Sequence, residues 1–429
     1  MDKLIYSLYK NYGDYCNWRT LPSEIDGLKP IERRVLLSVY QIARNKFTKS
    51  VRIDGHCLGH YHAHSSSYGT LVQMVYQGFI IGQGNWGLPY DDLKPAAARY
   101  TEAKLNPNME KLAFELLNYV PWRALDLDKE PLYLPTMYPL CLLGKTYSTG
   151  IGFGYKTLIP IYKQEDLHKR LLYLTGERKR KPIIKPLSDC EILSDNIDIE
   201  RLLIEGKSKI KVRGIFNIDN EDYSVSLKSW PYGIKNETLI GKFKNELDQG
   251  DIGYNDFSDS EKNIVFKVIK QRNKQIILDN FIRKLTDEIT SYISFDIVVI
   301  DNNGKVKRSS VDQLLLNSYN NYTSLSKKML ENEKTRYESV LFEYDVLEKI
   351  RPFLSKHLKK TIEDYGEAIK KISEDSKIGE NIIKLLFSKY KINKLLTLKI
   401  EKNDVLNKIK YFENELTDIK NYVLKKYGG

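Results

Sequence analysis

The sequence predicts a multidomain α+β protein with a largely helical C-terminal region. Its 429 residues are enough for about two to four structural units, each with its own hydrophobic core. Two runs in the middle of the chain, KIKVRGIF at 209–216 and NIVFKVIK at 263–270, are rich in β-branched residues and predict strands. From about Val311 onward, apolar residues recur at helical spacing almost to the end of the chain.

The first predicted element is a turn followed by a helix. DGLKP supplies turn residues at 26–30, and apolar residues then recur at helical spacing as the helix runs to about residue 46. A second short helix is predicted at about 67–77. Two short helices with a basic surface and glycine-rich connections indicate a helix-turn-helix or winged-helix DNA-binding module.

The charge of this module favours a polyanion as its partner. The whole chain has a formal charge of +12 and a pI near 9.1. Between residues 27 and 55 the only acidic residues are Glu32 and Asp54, against a larger basic set: Lys29, Arg33, Arg34, Arg44, Lys46, Lys49 and Arg52. Nucleic acid is the commonest intracellular polyanion, although a solvated helix face would carry the same local charge.

Several protein classes are disfavoured. The apolar runs are far shorter than the roughly 20 residues needed to cross a bilayer, and the N-terminus lacks the apolar core of a signal peptide. The cysteines lie far apart without a CxxC pair, so neither a disulfide framework nor a four-cysteine zinc site is expected: Cys16, Cys57, Cys141 and Cys190. We therefore expect a cytoplasmic protein, in the host cytoplasm if it is viral, with no membrane partner.

The later elements follow from two changes in pattern. Residues 131–161 are rich in Gly, Pro and aromatics, which predicts a compact irregular or strand region before an α+β insert. Near the C-terminus Leu315, Tyr322 and Met329 lie seven apart, and a second series steps by four and three residues: Val405, Ile409, Phe412, Leu416, Ile419 and Val423.

These two series predict an antiparallel coiled coil with a small helical head at 351–400. The helices of an ordinary bundle would give the same periodicity. Within the head an apolar run is predicted to seal a dimer: Ile382, Ile383, Leu385, Leu386 and Phe387.

The candidate nucleophile is Tyr100, which follows Arg99 at the end of an alanine run in PAAARYTEAKL (95–105). A tyrosine hydroxyl is a poor nucleophile unless a cation stabilises its phenolate or its target, and Arg99 is such a cation. The alternative is a surface or half-buried pair on a helix end without a chemical role.

Four of the six histidines crowd into GHCLGHYHAH (55–64): His56, His60, His62 and His64. Four ligands this close on one short loop rarely all point inward, and no CxxC or nearby carboxylate completes a zinc site, so no metal site is expected. Contact with phosphate is the favoured interpretation, and an incidental turn is the alternative.

The remaining motifs are weaker. LLGKTYS (142–148) ends like a phosphate-binding loop, but Pro139 stands where its first glycine is needed, so no ATP site is expected. DLD (126–128) lacks a further acid to hold magnesium. ERKRKPIIK (177–185) is either a solvated loop or a contact to the DNA backbone.

Five segments, taken in order, resemble the breakage-reunion core of the type IIA DNA topoisomerases, the A subunits of gyrase and topoisomerase IV. They are RTLPSEIDGLKPIERRVL (19–36), GHCLGHYHAH (55–64), GQGNWG (82–87), AAARYTEAKL (96–105) and STGIGFG (148–154). GKSKIKVRG (206–214) with SWPYGIKNETLI (229–240) resembles the tower region of that family. INKLLTLKIEKNDVLNKIKYFENEL (392–416) resembles its returning coiled-coil helix.

The resemblance implies roles for individual residues. Tyr100 matches the tyrosine that attacks a DNA phosphodiester and becomes linked to the 5′ end, Arg99 matches its neighbouring arginine, and Arg19 matches an arginine that assists cleavage. Ile151 matches an isoleucine wedged between base pairs of bent DNA. The predicted DNA-binding residues are Lys29, Arg33, Arg34, His62, His64 and Ile151.

The histidine segment departs from the family pattern. His60 stands where the family has a lysine, and HSSSYGT (64–70) is about two residues shorter than the family's loop, or else shifted. The pairing of His60, His62 and His64 with the family's histidines is therefore open by two places.

The resemblance also implies what other chains supply. No ATPase motif and no set of magnesium-binding carboxylates stands in the sequence, so Mg²⁺ and ATP are expected on partner subunits that carry the ATPase and TOPRIM parts. No chain is left for a DNA-wrapping tail. The length most resembles the medium subunit of T-even-like bacteriophage topoisomerases.

We therefore predict the DNA-cleaving and rejoining subunit of an ATP-dependent type IIA topoisomerase, a homodimer acting on double-stranded DNA. Its predicted parts are an N-terminal arm (1–25), a CAP-like winged-helix domain with the catalytic tyrosine (26–120), an α/β wedge and tower domain (121–310), and a coiled coil (311–429) with a helical C-gate at about 351–400. The rivals are a non-catalytic DNA-bending protein and a metal-dependent phosphoesterase built on the histidine segment.

Overall fold

The computed structural model describes residues 2–89, 93–126, 128–258, 261–357, 365–391, 395 and 401–427. The chain divides into two compact units, Met1–Tyr322 and Thr323–Tyr427. The predicted mixture of helices and sheets is confirmed, and every strand formed by the described residues lies in the first unit. In this described part of the chain, no helix is both long and apolar enough to cross a membrane.

The N-terminal part combines four helices with a small antiparallel sheet. The helices are α1 (Asp2–Thr20), α2 (Pro30–Ile42), α3 (Ser50–His60) and α4 (Tyr68–Tyr76), and the strands are β1 (Thr48–Lys49), β2 (Ile80–Gln83) and β3 (Glu102–Leu105). The strand order is β1-β3-β2, with Thr48 opposite Ala103 and Ile80 opposite Leu105. The helices α2 and α4 confirm the two that were predicted, and α3 was not predicted.

Local chemistry explains where α2 begins. Pro30 fixes the backbone angle that a first helical residue needs, and the Glu32 carboxylate accepts a hydrogen bond from the Lys29 N–H at 2.9 Å. The apolar side of α2 is then buried against its neighbours through Val35, Leu36 and Val39.

Short elements connect this part to the sheets that follow. They are α5 (Pro107–Met109), a π-helical turn (Glu110–Phe114), a 3₁₀ turn (Leu117–Tyr119), the hairpin of β4 (Trp122–Ala124) and β5 (Lys129–Pro131), and a second 3₁₀ turn (Leu140–Leu142). The irregular character predicted for residues 131–161 is confirmed in its first half, and strands follow in the second.

The largest sheet formed by the described residues has five antiparallel strands, and we call it the central sheet. Its strands are β6 (Ser148–Ile151), β7 (Lys156–Ile159), β8 (Glu191–Ile192), β9 (Lys207–Arg213) and β14 (Thr290–Asp296), in the order β6-β7-β14-β9-β8. It is accompanied by α6 (Gln164–Leu174) and α7 (Asn196–Glu205). The helix α7 begins where the Asp195 carboxylate accepts the Ile197 and Asp198 N–H groups, and it ends at Gly206 in the left-handed conformation.

A second, four-stranded sheet is inserted between β9 and β14. Its strands are β10 (Phe216–Asp219), β11 (Ser224–Leu227), β12 (Ile252–Asp256) and β13 (Ile264–Val268), in the order β10-β11-β13-β12, with helices α8 (Asn236–Gly241), α9 (Lys244–Asp248) and α10 (Lys274–Glu288). Its core includes Phe243, Phe266 and Phe281, whose rings lie within 5.4 Å of one another. The predicted α+β insert thus exists.

One predicted strand is wrong in its extent. The run 209–216 does not form a single strand, because β9 ends at Arg213 and β10 begins at Phe216 in the other sheet. At Gly214, between them, a side-chain Cβ would lie 2.4 Å from the Ser229 carbonyl oxygen, so the close approach of that backbone requires glycine.

The chain then forms a hairpin and becomes helical. Strands β15 (Val298–Ile300) and β16 (Val306–Arg308) precede the long helix α11 (Val311–His357), which begins at the predicted residue. Helices α12 (Tyr365–Ser376), α13 (Glu380–Lys389), α14 (Lys402–Thr417) and α15 (Ile419–Tyr427) follow. Part of the predicted C-gate, residues 358–364, 392–394 and 396–400, lies outside the described residues.

Within the second unit, α11 and α14 run in opposite directions. Lys334 forms an ion pair with Glu413 at 3.0 Å, and Asp345 forms one with Lys402 at 2.7 Å, so residue numbers rise along one helix as they fall along the other. The returning segment is not one continuous helix, because Asp418 interrupts it. Aspartate is favoured at the start of a helix rather than inside one.

The apolar run assigned to a dimer seal divides between two environments. Ile383 and Leu386 are buried in the core of the second unit with Leu347 and Ile350, whereas Leu385 is exposed. A helix turns about 100° per residue, so the run cannot present all of its members to one side. The prediction that Ile383 and Leu386 face a partner is therefore wrong.

Candidate functional site

The backbone around Tyr100 is held firmly. The first N–H groups of a helix have no partner within the helix, and in α3 those of Ser50 and Val51 donate to the Thr101 and Ala98 carbonyl oxygens at 3.0 and 3.1 Å. The Tyr68 hydroxyl donates to the Ala96 carbonyl oxygen at 2.6 Å. Residues 96–101, which we call the Tyr100 turn, are thus fixed from two helices.

The side chain at the tip of this turn is free by contrast. Tyr100 is 63% exposed, and the Arg99 guanidinium carbon lies 4.6 Å from the centre of its ring. The Tyr100 hydroxyl forms no hydrogen bond within the described part of the chain. A cation beside an accessible tyrosine is the arrangement that attack on a phosphate diester needs.

A buried carboxylate organises a second group of residues. Glu130, on β5, is 1% exposed and accepts hydrogen bonds from Arg34 Nε at 2.6 Å and Nη2 at 3.1 Å, and from Arg123 Nε at 2.8 Å. Arg34 Nη1 lies 3.0 Å from His62 Nδ1. We call Glu130, Arg34, Arg123 and His62 the Glu130 cluster.

Burial and charge act in opposite directions on Glu130. Burial opposes ionisation, but the hydrogen bonds and charges of Arg34 and Arg123 outweigh it and hold the pKa of Glu130 below its ordinary value. The carboxylate is therefore ionised at neutral pH, and it keeps the Arg34 side chain in one position.

Two further predicted residues, His64 and Arg19, lie beside this cluster. Burial lowers the pKa of His62, and the charges of Arg34, His64 and Arg19 lower it further. The His64 ring lies 5.4 Å from the His62 ring, and Arg19 is exposed on the last turn of α1. The structure thus brings Arg19, Arg34, His62 and His64 together.

The structure does not bring the tyrosine to this group. Among the described residues, neither Tyr100 nor Arg99 has a hydrogen bond, an ion pair or a ring contact with a member of the Glu130 cluster or with Arg19. Within the described part of the chain, the candidate nucleophile and the candidate phosphate-binding residues therefore form two groups without a direct side-chain contact.

Ile151 lies at the end of β6, where a tight turn presents it to solvent. It is 74% exposed. The turn is held by α1, because Asn17 Oδ1 accepts the Phe153 N–H at 2.6 Å and its Nδ2 donates to the Phe153 carbonyl oxygen at 3.3 Å. A Cβ on Gly152 would lie 2.3 Å from that Asn17 oxygen, so a larger residue there would displace Asn17 from the turn.

Two of the predicted DNA contacts, Arg33 and Lys29, differ in how deeply they are buried. Arg33 is 4% exposed, and its Nε and Nη2 donate to both carboxylate oxygens of Asp26 at 2.7 and 3.0 Å. It stabilises the turn before α2 rather than lying on a surface, so we correct its assignment as a DNA contact. Lys29 is half-buried and lies 3.7 Å from Glu32.

The histidine segment is only half loop. His56 and His60 belong to α3, and Nδ1 of His60 lies 3.0 Å from the Asp128 carboxylate, so the expectation of four histidines on one loop is wrong. The rings pair within each half, because the His56 and His60 rings lie 4.4 Å apart and the His62 and His64 rings lie 5.4 Å apart. Leu127, in the DLD motif, lies outside the described residues, and among the described ones no three His, Cys, Asp or Glu side chains form a group that could hold a metal ion.

Sequence reasoning missed a basic face on the central sheet. Strand register places Lys156 and Ile151 on one side of the five-stranded sheet, together with Lys209, Lys211 and Tyr292, because paired residues point to the same face. The alternation in KSKIKVR (207–213) was the available signal, since its lysines are outward and Ser208, Ile210 and Val212 are buried.

Comparison with known proteins gives a consistent result. The family model for the A subunit of DNA gyrase/topoisomerase IV matches residues 19–427. The A subunit of DNA topoisomerase 4 from Pseudomonas aeruginosa is 30% identical over 331 residues, which cover 70% of this chain and 43% of that protein. The A subunit of DNA gyrase from Chlamydia pneumoniae is 29% identical over 441 residues, covering 93% of this chain and 51% of that protein. The chain thus spans about half of these relatives or less.

Proposed function

The chain belongs to the family of DNA gyrase and topoisomerase IV A subunits, and on that premise we propose that it is the DNA-cleaving and rejoining subunit of a type IIA topoisomerase. The observation that carries the proposal is the accessible Tyr100 beside Arg99 on a rigid turn. In that proposal the Tyr100 of each of two copies makes a transient break in one strand, a second duplex passes, and the strands are resealed.

The proposed chemistry is a transfer of one phosphodiester bond. The Tyr100 oxygen attacks phosphorus, loses its proton and forms a bond to the 5′ phosphate, while the bond to the 3′ oxygen breaks and that oxygen takes up a proton. Rejoining is the reverse reaction. Because the link to tyrosine conserves the bond, resealing needs no external energy source.

Cations near the phosphate stabilise the charge that develops there. Arg99 is the cation next to the nucleophile. Arg19 is proposed to assist cleavage. Lys29, Arg34, His62 and His64 are proposed to bind the DNA backbone, and Ile151 is proposed to enter between base pairs. The exposed lysines Lys156 and Lys209, with the half-buried Lys211, extend a basic surface from Ile151 across the same sheet face.

Several parts of the assembly are proposals at the level of the family. The first unit would contain a winged-helix domain and a tower, and the second unit a coiled coil with a C-gate that closes a homodimer. Leu385 and Phe342 are exposed apolar side chains on the second unit that such a contact could cover. A cytoplasmic location and a bacteriophage source stay predictions from the sequence.

Mg²⁺ and ATP are proposed to bind partner subunits with ATPase and TOPRIM parts. The described residues offer no group of three His, Cys, Asp or Glu side chains that fits a metal ion, and Pro139 interrupts the phosphate-binding motif. No step proposed for this chain runs through either group.

The proposal is tested by trapping the covalent intermediate. The chain is mixed with DNA and its partner subunits, the reaction is stopped with denaturant, and protein attached to DNA is measured. Tyr100→Phe should remove the covalent complex while DNA binding stays within about twofold, because the change deletes one oxygen and no charge. Tyr254→Phe, at another exposed tyrosine, is the control and should cleave normally.

Two outcomes would contradict this function. A covalent complex that persists in Tyr100→Phe would show that another residue is the nucleophile. DNA binding without any covalent complex in the unaltered protein would favour a non-catalytic DNA-bending role.

A further inference from the structure

The contact between Arg34 and His62 determines which ring nitrogen of His62 carries the proton. A guanidinium has five N–H donors and no acceptor, and it keeps its proton at any pH at which proteins fold. Arg34 Nη1 lies 3.0 Å from His62 Nδ1. Nδ1 must therefore accept this hydrogen bond, which leaves the proton of a neutral ring on Nε2.

Arg34 is not free to turn away from this contact. Its Nε and Nη2 are both bound to the Glu130 carboxylate, at 2.6 and 3.1 Å, so the third nitrogen, Nη1, points in a fixed direction. Glu130 is itself fixed by burial and by the hydrogen bond from Arg123 Nε at 2.8 Å. The orientation of His62 thus depends on a carboxylate that it does not touch.

The backbone of His62 is held as well. Its N–H donates to the Cys57 carbonyl oxygen at the end of α3, at 2.8 Å. Asp54 closes the loop to α4 by accepting hydrogen bonds from the Ser67 N–H at 2.6 Å and the Ser66 hydroxyl at 2.7 Å. The ring therefore has little freedom at either end.

The surroundings of His62 oppose a second proton. Burial is the main cause of its lowered pKa, and the charged or titratable groups facing it are Arg34, His64, Arg19 and Glu130, of which only Glu130 acts in the other direction. In the described part of the chain, His62 Nε2 has no hydrogen-bond partner. This atom is not fully buried. Nε2–H is therefore the group left to meet a ligand.

We propose that Glu130, acting through Arg34, is a positioning residue that fixes the tautomer of His62 and presents its Nε2–H as a hydrogen-bond donor to a phosphate oxygen. This inference rests on the proposed function for the identity of the ligand. The proposal also implies that His62 cannot act as a base toward Tyr100. With Nδ1 occupied by Arg34 and Nε2 protonated, the ring has no free nitrogen to accept the proton of Tyr100. The cationic contacts to phosphate come from the arginines instead.

The tautomer can be read directly by nitrogen NMR of histidine-labelled protein without DNA. The chain has six histidines, and the His62 signals are assigned by their loss in His62→Gln. At pH 7 we expect a protonated Nε2 and an unprotonated Nδ1, and we expect protonation only at a lower pH than in free histidine. A ring with Nδ1–H, or an imidazolium at pH 7, would overturn the proposal, and this measurement needs no folded variant at Glu130.

Glu130→Gln tests the role of the carboxylate. The neutral amide no longer binds both Arg34 nitrogens, so both tautomers of His62 should appear and DNA binding should weaken by roughly threefold to tenfold. The control is Glu110→Gln, at an exposed carboxylate that also binds an arginine, Arg44, through two nitrogens but makes no hydrogen bond or ion pair with the described members of the cluster. It should leave the His62 signals and DNA binding unchanged.

The two levels of the proposal fail separately. Unaltered His62 signals in Glu130→Gln would overturn the positioning role, whether or not Tyr100 cleaves DNA. If the unaltered chain shows the expected tautomer but Glu130→Gln binds DNA as tightly as the unaltered chain, phosphate is not the ligand of Nε2. A missing covalent complex with Tyr100 would overturn the cleavage function, and it would not alter the tautomer.

Discussion

The Tyr100 turn and the Glu130 cluster hold their functional side chains in opposite ways. In the turn, hydrogen bonds fix the backbone from α3 and α4, and the Tyr100 side chain is exposed with Arg99 over its ring. In the cluster, the side chains of Arg34 and His62 are fixed to each other and to Glu130. One group is rigid in its backbone and free in its side chain, and the other is rigid throughout.

The difference agrees with the two tasks proposed for them. A nucleophile must change position between the attacking state and the covalent state, so a mobile side chain on a fixed base serves it. Groups that stabilise developing charge work best when they are already in place before the reaction. The comparison therefore predicts that substitutions in the cluster affect stability and binding, whereas substitutions in the turn affect cleavage.

The largest effect is expected from Glu130→Ala. Removing the buried carboxylate leaves Arg34 and Arg123 without their shared partner, and breaking such a pair costs about 3 kcal/mol of unfolding free energy. Denaturant unfolding measures the loss. Glu110→Ala, which breaks the exposed pair with Arg44, should cost less than about 1 kcal/mol. Equal losses for the two variants would show that the cluster is not a rigid unit.

Acid should remove the contribution of Glu130 gradually. Its pKa is lowered in the folded state, so its stabilisation is present above the ordinary glutamate pKa of about 4.3 and is lost as the pH falls through the lower folded value. The stability difference between the unaltered chain and Glu130→Gln should therefore shrink between about pH 6 and about pH 3, by about 1.4 kcal/mol for each unit of pKa depression. A difference that stays constant with pH would contradict this origin.

A smaller loss of stability, with a selective loss of cleavage, is expected from Tyr68→Phe. The hydroxyl donates to the Ala96 carbonyl oxygen and lies 3.0 Å from the Thr101 hydroxyl, so its removal costs about 1 kcal/mol and loosens the base of the Tyr100 turn. Covalent trapping should fall roughly tenfold, because a small misplacement of a reacting group is costly. Tyr76→Phe loses one hydrogen bond to Trp86 and is the control. If both variants cleave equally, the turn is not positioned by Tyr68.

The smallest effect on stability is expected from Ile151→Ala. An exposed side chain contributes little to folding, so the unfolding free energy should change by less than about 0.5 kcal/mol. DNA bending, measured by energy transfer between the ends of a labelled duplex, should decrease, because the proposed wedge is lost. Ile197→Ala, at an exposed isoleucine on α7, should leave bending unchanged. Unchanged bending in Ile151→Ala would remove the wedge assignment.

The adjacent residues Arg33 and Arg34 show which features could be predicted from the sequence and which could not. The helix α2 was predictable from its apolar spacing. Arg33 and Arg34 are the same type of residue, but their side chains leave the helix about 100° apart. Arg33 turns toward Asp26, seven residues before it, whereas Arg34 turns toward Glu130, 96 residues after it. Only the fold shows that one supports the interior and the other supports a site.

Contacts between segments that are distant in sequence also explain why other features differ from the prediction. The start of α11 at Val311 was predictable because its signal is periodic and local. The end of β9 at Arg213 was not, because it depends on the Ser229 backbone approaching Gly214. Tyr100 was predicted as the nucleophile from the adjacent Arg99 and from the motif resemblance. The anchors of its turn on α3 and α4 were not predictable, because they are contacts between segments that lie far apart in sequence.

The order of strands in the central sheet also affects how the chain acquires its structure. The strand β14, near residue 296, joins β7 to β9, and Asn17 is bonded to Phe153 across 136 positions. Ribosomes add about 5–20 residues per second, so Ile151 waits on the order of ten seconds before the strand that completes its sheet exists. Until then it lies on a two-stranded hairpin, which is marginal in water. We therefore expect this apolar tip to be among the segments of the nascent chain that chaperones protect.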